Sequence, residues 1–112
     1  MEMNVRFAPE TTDYLEELVT VLYQNGYFSW LDASKKYVAG LVEDIKHRLP
    51  LRPRRPAPPY FNRYGRGMYY ASFPKNKHTT WYAFFRMYQK DGELYYQVRY
   101  ITNNHVAAQH LL

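Results

Sequence analysis

Lys90-Asp91-Gly92 constrains this chain more than any other short segment, because it stands between two long runs of strand composition, Thr80 to Gln89 and Glu93 to Thr102. Asp-Gly accepts the left-handed backbone of the primed turns whose twist matches that of paired strands, so the two runs are expected to fold back on each other as a hairpin. Trp81 to Tyr88 is apolar on both sides, which predicts the central strand of a sheet. In the last run Leu94, Tyr96, Val98 and Tyr100 alternate with Tyr95, Gln97, Arg99 and Ile101, predicting one core face and one mixed, open face. Gly67 to Phe73 reads as a further strand, completing a three-stranded antiparallel meander.

The first half carries helical periodicity. After the apolar run Met3 to Phe7, which reads as an N-terminal strand, Pro9 stands where a first helical position tolerates a missing N–H. Glu10 and Asp13 follow near the positive end of the helix dipole. Tyr14, Leu15, Leu18, Val19 and Leu22 recur at three- and four-residue spacing and Asn25-Gly26 supplies a stop, so a helix is predicted over roughly residues 9–24. Ser29-Trp30-Leu31-Asp32 has the form of a capping box, and Tyr37, Val38, Leu41, Val42, Ile45 and Leu49 trace the stripe of a second helix that Pro50 ends. Such a helical hairpin needs a sheet to cover its shared apolar face. Pro50 to Pro59 holds five of the seven prolines and is expected to be extended and irregular. His105 to Leu112 reads as a short tail helix capped by Asn103 or Asn104. The fold class is α+β, and residues 1–112 make one domain.

Charge is distributed unevenly over that framework. The net charge is +5, yet residues 1–46 carry eight acidic side chains against four basic ones, and residues 47–112 carry two against eleven. A lopsided basic domain presents a face to a polyanion, most often nucleic acid, or else keeps a solvated basic surface. With no cysteine, disulfides, thiolate metal sites and thiol nucleophiles are excluded. No apolar run approaches the ~18 residues that span a bilayer, so no membrane partner is expected and the chain is read as cytoplasmic.

Four constellations carry the candidate chemistry. Arg52, Arg54 and Arg55, with Arg48, lie in the proline-stiffened approach to the sheet, and their planar guanidiniums suit phosphate oxygens. A basic loop without a ligand is the plain alternative. In Tyr60-Phe61-Asn62-Arg63-Tyr64-Gly65-Arg66-Gly67, arginines interleave with aromatic rings that can stack on bases or plug the core, and Arg63 and Tyr64 are the RNA-contact candidates. Lys75, Lys77 and His78 read as solvated loop charge. Arg99 lies on the polar face of the last strand, with His105 just beyond its end, and histidine as a residue type can exchange protons near neutrality or serve structure alone. No metal-ligand spacing, phosphate loop or nucleophile elbow is present, so no metal or cofactor is expected, and acidic residues are scarce in the basic half. A nuclease built on these residues would be metal-free.

The Asn4-Val5-Arg6-Phe7 strand, the helical hairpin, the Pro- and Arg-rich passage, the Arg63 to Phe73 strand and the closing Val98-Arg99-Tyr100-Ile101-Thr102-Asn103-Asn104-His105 together resemble the RelE/ParE superfamily of toxins from bacterial type II toxin–antitoxin systems. The resemblance implies a RelE-like fold and, for RelE-like members, a ribosome-dependent endoribonuclease that cuts mRNA. In that reaction the 2′-hydroxyl attacks the adjacent phosphate, and basic side chains on the sheet stabilise the developing charge. It places Arg52, Arg54 and Arg55 near the family's basic approach to the first sheet strand, Arg66 near the arginine of that strand and His105 near the C-terminal catalytic position. Arg66, Arg99 and His105 are thus the catalytic candidates. Two positions depart from the pattern: Gly67 follows Arg66 where the family has apolar residues, and no tyrosine follows His105. ParE-like members share the fold and poison DNA gyrase, and a non-toxic RNA- or protein-binding module is the alternative from another class. The implied partner is a cognate antitoxin whose acidic, partly disordered segment folds over the basic face.

Overall fold

A computed structural model describes residues 4–111. Met3, the start of the expected first strand, and Leu112, the end of the expected tail, lie outside the described residues. Strand β1 is Val5–Phe7, helix α1 Pro9–Gln24 and helix α2 Leu31–Arg48. A 3-10 turn at Leu49–Leu51 leads to strand β2 (Arg55–Pro56) and a 3-10 segment, Pro59–Tyr64. Strands β3 (Tyr69–Pro74), β4 (Thr80–Lys90) and β5 (Glu93–Asn103) follow, then helix α3 (Asn104–Ala107) and a closing 3-10 turn.

The expected meander is present as β3-β4-β5, and the α+β class holds, but the sheet has five strands in the order β1-β5-β4-β3-β2 rather than three. β1 adds to β5 in parallel, Val5 opposite Tyr96 and Phe7 opposite Val98. β2 comes from the proline-rich passage expected to be irregular. Arg55 and Pro56 pair with Tyr70 and Tyr69, and the Ala57 amide donates to the Met68 carbonyl at 2.9 Å. Proline is accommodated there because β2 is an edge strand, where a missing donor leaves no ladder bond unmade within the sheet.

The hairpin turn forms as its residues dictate, with Asp91 at φ 53° and Gly92 at φ 78° between the paired Lys90 and Glu93. α1 begins at Pro9, buries Leu15, Leu18 and Leu22, and its Thr11 hydroxyl donates to the Val98 carbonyl at 3.1 Å. The capping box does not form: α2 starts one residue later than Ser29 would allow, with Trp30 at the cap position and no side-chain cap bond. What fixes α2 against α1 is instead Ser34, fully buried, whose hydroxyl donates to the Val19 carbonyl at 2.6 Å.

Two cores sandwich the sheet. The helices cover one face with Leu41, Ile45 and Leu49 against Phe73, Trp81, Phe85 and Val98. Each such fully buried side chain contributes about 2 kcal/mol. On the other face the Pro59–Tyr64 segment and the tail enclose Phe61, Met68, Tyr70, Phe84 and Ala107. β4 is therefore buried on both sides at its middle, with Phe84 and Phe85 both in cores, which is why its sequence is apolar on both faces.

The alternation expected of β5 breaks at a bulge. Phe85 faces Val98 but Phe84 faces Tyr100, so Arg99 is the extra residue. Beyond it every side chain changes face: Ile101 joins the helix-side core and Tyr100 the opposite one, the reverse of strict alternation. Among the described residues no helix is long and apolar enough to cross a membrane.

Candidate nucleic-acid interface

The face of the sheet away from α1 and α2 mixes basic with aromatic side chains. Along β4 the residues alternating with helix-side Trp81, Ala83, Phe85 and Met87 are Tyr82, Phe84, Arg86 and Tyr88, and by register Gln97 and Tyr95 of β5 and Arg6 of β1 share their side. The Pro59–Tyr64 segment plugs the middle of this face. Phe61 stacks on Phe84 at 4.3 Å, Tyr64 on Tyr100 at 3.7 Å, and Tyr60 on His110 at 3.5 Å between ring centroids. Basic groups remain on either side of the plug.

On the Tyr82 side is a cleft of about 350 Å³ lined by Arg52, Pro53, Arg55, Tyr70, Ser72 and Tyr82, with Leu111 of the tail. Arg52 is anchored by its Nε donating to the Ser72 carbonyl at 2.9 Å, which leaves the Nη groups free to meet an anion. Arg52 and Arg55 thus come together. Arg54 does not line the cleft, and its guanidinium lies 5.5 Å over Tyr69, while that of Arg52 lies 5.6 Å over Phe73. Arg63 folds back on its own segment, 3.9 Å over the Tyr60 ring with Nε donating to the Tyr60 carbonyl at 3.0 Å. Tyr64 lies flat on Tyr100, and its phenol is raised above the usual tyrosine value, chiefly by the neighbouring Tyr100 phenol.

On the other side of the plug the Gly65-Arg66-Gly67 turn, which carries Arg66, meets two arginines from distant parts of the chain. Arg86 Nε donates to the Arg66 carbonyl at 3.0 Å, and Gly65 packs directly on Arg99. Arg66 itself is exposed. Arg99 Nε is buried without a hydrogen-bond partner among the described residues, and its Nη2 is 3.8 Å from Glu10 Oε1. The Arg99 side chain is 31% exposed, and its Nη end, rather than the covered Nε, is the part that can meet a phosphate oxygen.

His105 belongs to a different place. Its Nε2 is 3.0 Å from Thr79 Oγ1, and it borders a cavity of about 460 Å³ lined by Tyr14 and Leu18 of α1 and by Trp81. The Asn103 side chain sends the chain there by accepting from the His105 and Val106 amides, so it is Asn103 and not Asn104 that caps the tail. The four residues from Arg99 to Asn103 already span ~13 Å of strand. Arg66 is next in sequence to the glycine that packs on Arg99, whereas His105 contacts Thr79 instead.

Arg86 and Arg6 were not among the residues singled out in the sequence. Period-two reading of Trp81 to Tyr88 gives Arg86 the same face as Tyr82 and Tyr88, and that alternation was the available signal. Arg6 has no such local mark, because its face is set by the parallel pairing of β1 with β5. Among the described residues no three His, Asp or Glu side chains cluster as a metal site would require. No protein-family model matches this chain, and no curated protein or solved structure matches it.

Proposed function

We propose that the protein is a toxin of the RelE/ParE kind whose sheet face opposite α1 and α2 binds single-stranded mRNA on the ribosome and promotes its cleavage without a metal ion. The observation that carries this reading is the placing of Arg66, Arg86 and Arg99 around one glycine turn, with the Arg52 and Arg55 cleft on the same face. In the reaction the RNA 2′-oxygen bonds to the adjacent phosphorus, the bond from phosphorus to the 5′-oxygen breaks, the 2′-hydroxyl proton leaves and the 5′-oxygen gains one. Guanidiniums stabilise the extra negative charge of the transition state. Arginine does not titrate, so these side chains hold charge and do not take the proton. That division of labour suits an enzyme whose substrate is aligned by the ribosome, since alignment alone lowers the barrier substantially. The basic balance of residues 47–112 also suits an acidic antitoxin segment as inhibitor.

The test is cleavage of ribosome-bound mRNA by purified protein, compared with Arg66→Ala and Arg99→Ala. Cleavage lost in both variants supports the reading. Supercoiling inhibition without RNA cleavage would instead establish a gyrase poison, and unimpaired growth of a bacterial host on expression, with or without a neighbouring open reading frame, would remove the toxin reading.

A further inference from the structure

Toward the turn of the β4–β5 hairpin, beyond the plug, the face opposite α1 and α2 carries Tyr88 and Tyr95, directly paired across the strands and stacked at 5.2 Å with an interplanar angle of 11°. The Tyr88 ring is 40% exposed, and among the described residues its only aromatic neighbour is Tyr95. The residue is therefore open to solvent and not enclosed in either core. The positions beside it are cationic. Arg6 Cζ lies 5.4 Å over the Tyr95 ring, and Arg6, Gln97 and Arg86 form a row across β1, β5 and β4. The acidic neighbour, Glu93, is engaged, accepting from the Tyr95 hydroxyl at 3.3 Å and from the Asn4 amide at 3.5 Å.

We propose that Tyr88 and Tyr95, flanked by Arg6 and Arg86, form a stacking subsite for one unpaired nucleobase of the RNA strand that also reaches Arg99. This rests on the RNA reading above and names a part of the site that reading does not need. The subsite holds by ring stacking and by the backbone's negative charge, a combination that tolerates any base. Tyr95 lies four residues before Arg99, ~13 Å along the strand, so a strand a few nucleotides long spans both. An acidic peptide would satisfy the arginines but would leave the tyrosine face without a matching flat partner.

The experiment is an anisotropy titration with a labelled oligouridine and with an abasic ribose-phosphate strand of the same length, at low fixed salt. Tyr88→Leu is expected to weaken oligouridine binding roughly five- to a hundredfold and to leave the abasic strand unchanged, while Tyr88→Phe keeps wild-type affinity for both. Circular dichroism of the Leu variant checks that it is folded. Equal weakening on both strands, or none, overturns the subsite, as does a loss of antitoxin binding with RNA binding intact. Arg99→Ala separates the two readings: it is expected to lose cleavage yet keep the Tyr88-dependent preference for bases. If the wild type binds neither strand, the subsite is overturned, while the RNA reading stands or falls on cleavage of ribosome-bound mRNA.

Discussion

Gly65 and Arg99 fit closely: a Cβ at position 65 would lie 3.3 Å from Arg99 Nε and 3.2 Å from Met68 Sδ, so both side chains would have to give by a few tenths of an ångström. Gly65 also has φ 149°, a region that L side chains rarely adopt. Gly65→Ala is therefore expected to cost about 1 kcal/mol or more of stability and to push the Arg99 guanidinium out of place. RNA cleavage should fall by more than the folded fraction does. A variant as active per folded molecule as the wild type would show that the position of Arg99 is immaterial.

Glu10 competes with any anion for Arg99. The pair is 3.8 Å apart and Glu10 is well exposed, so its contribution to stability is small. Glu10→Gln is expected to leave the melting temperature within about a degree or two and to tighten oligonucleotide binding a few-fold at low salt, the gain vanishing at high salt. Unchanged affinity at low salt would show that Glu10 does not restrain Arg99.

Arg54 and Arg55 are adjacent in sequence and differ in place, one over Tyr69 and the other lining the cleft. Arg55→Ala should weaken RNA binding across sequences and reduce the salt slope by about one, as loss of one phosphate contact does. Arg54→Ala should do so less. Equal slopes in the two variants would remove the cleft from the binding path.

These residues also mark how far the sequence could be read. The hairpin turn and both helices were legible, since Asp91-Gly92 and the apolar stripes of Leu15 or Leu41 act locally. Pairing over long sequence separation was not. Nothing near Val5 announces Tyr96 as its partner, and nothing near Arg55 announces Tyr70. The bulge at Arg99 arises only when β5 is held against β4, so the faces of Tyr100 and Ile101 were misread from alternation. In the site, the clustering of Arg52 and Arg55 was visible, whereas Arg86 was hidden in an apolar run. The distance of His105 from Arg99 follows from the Asn103 cap, a turn in space that spacing along the chain does not reveal.

Two phenols tie stability to alkaline pH. Tyr14 is raised above its ordinary value by burial, and Tyr64 chiefly by the neighbouring Tyr100 phenol. In the unfolded chain both ionise near pH 10. Their share of stability is complete below that value and is lost as pH rises through the higher folded-state values, because the unfolded chain then releases protons that the folded chain still holds. Tyr14→Phe cannot ionise and removes its part of this dependence. The fall in melting temperature between about pH 9 and 11 should therefore be smaller in Tyr14→Phe than in the wild type. An equal fall in the two proteins would show that Tyr14 titrates as a free phenol and that the helix–sheet core does not shield it.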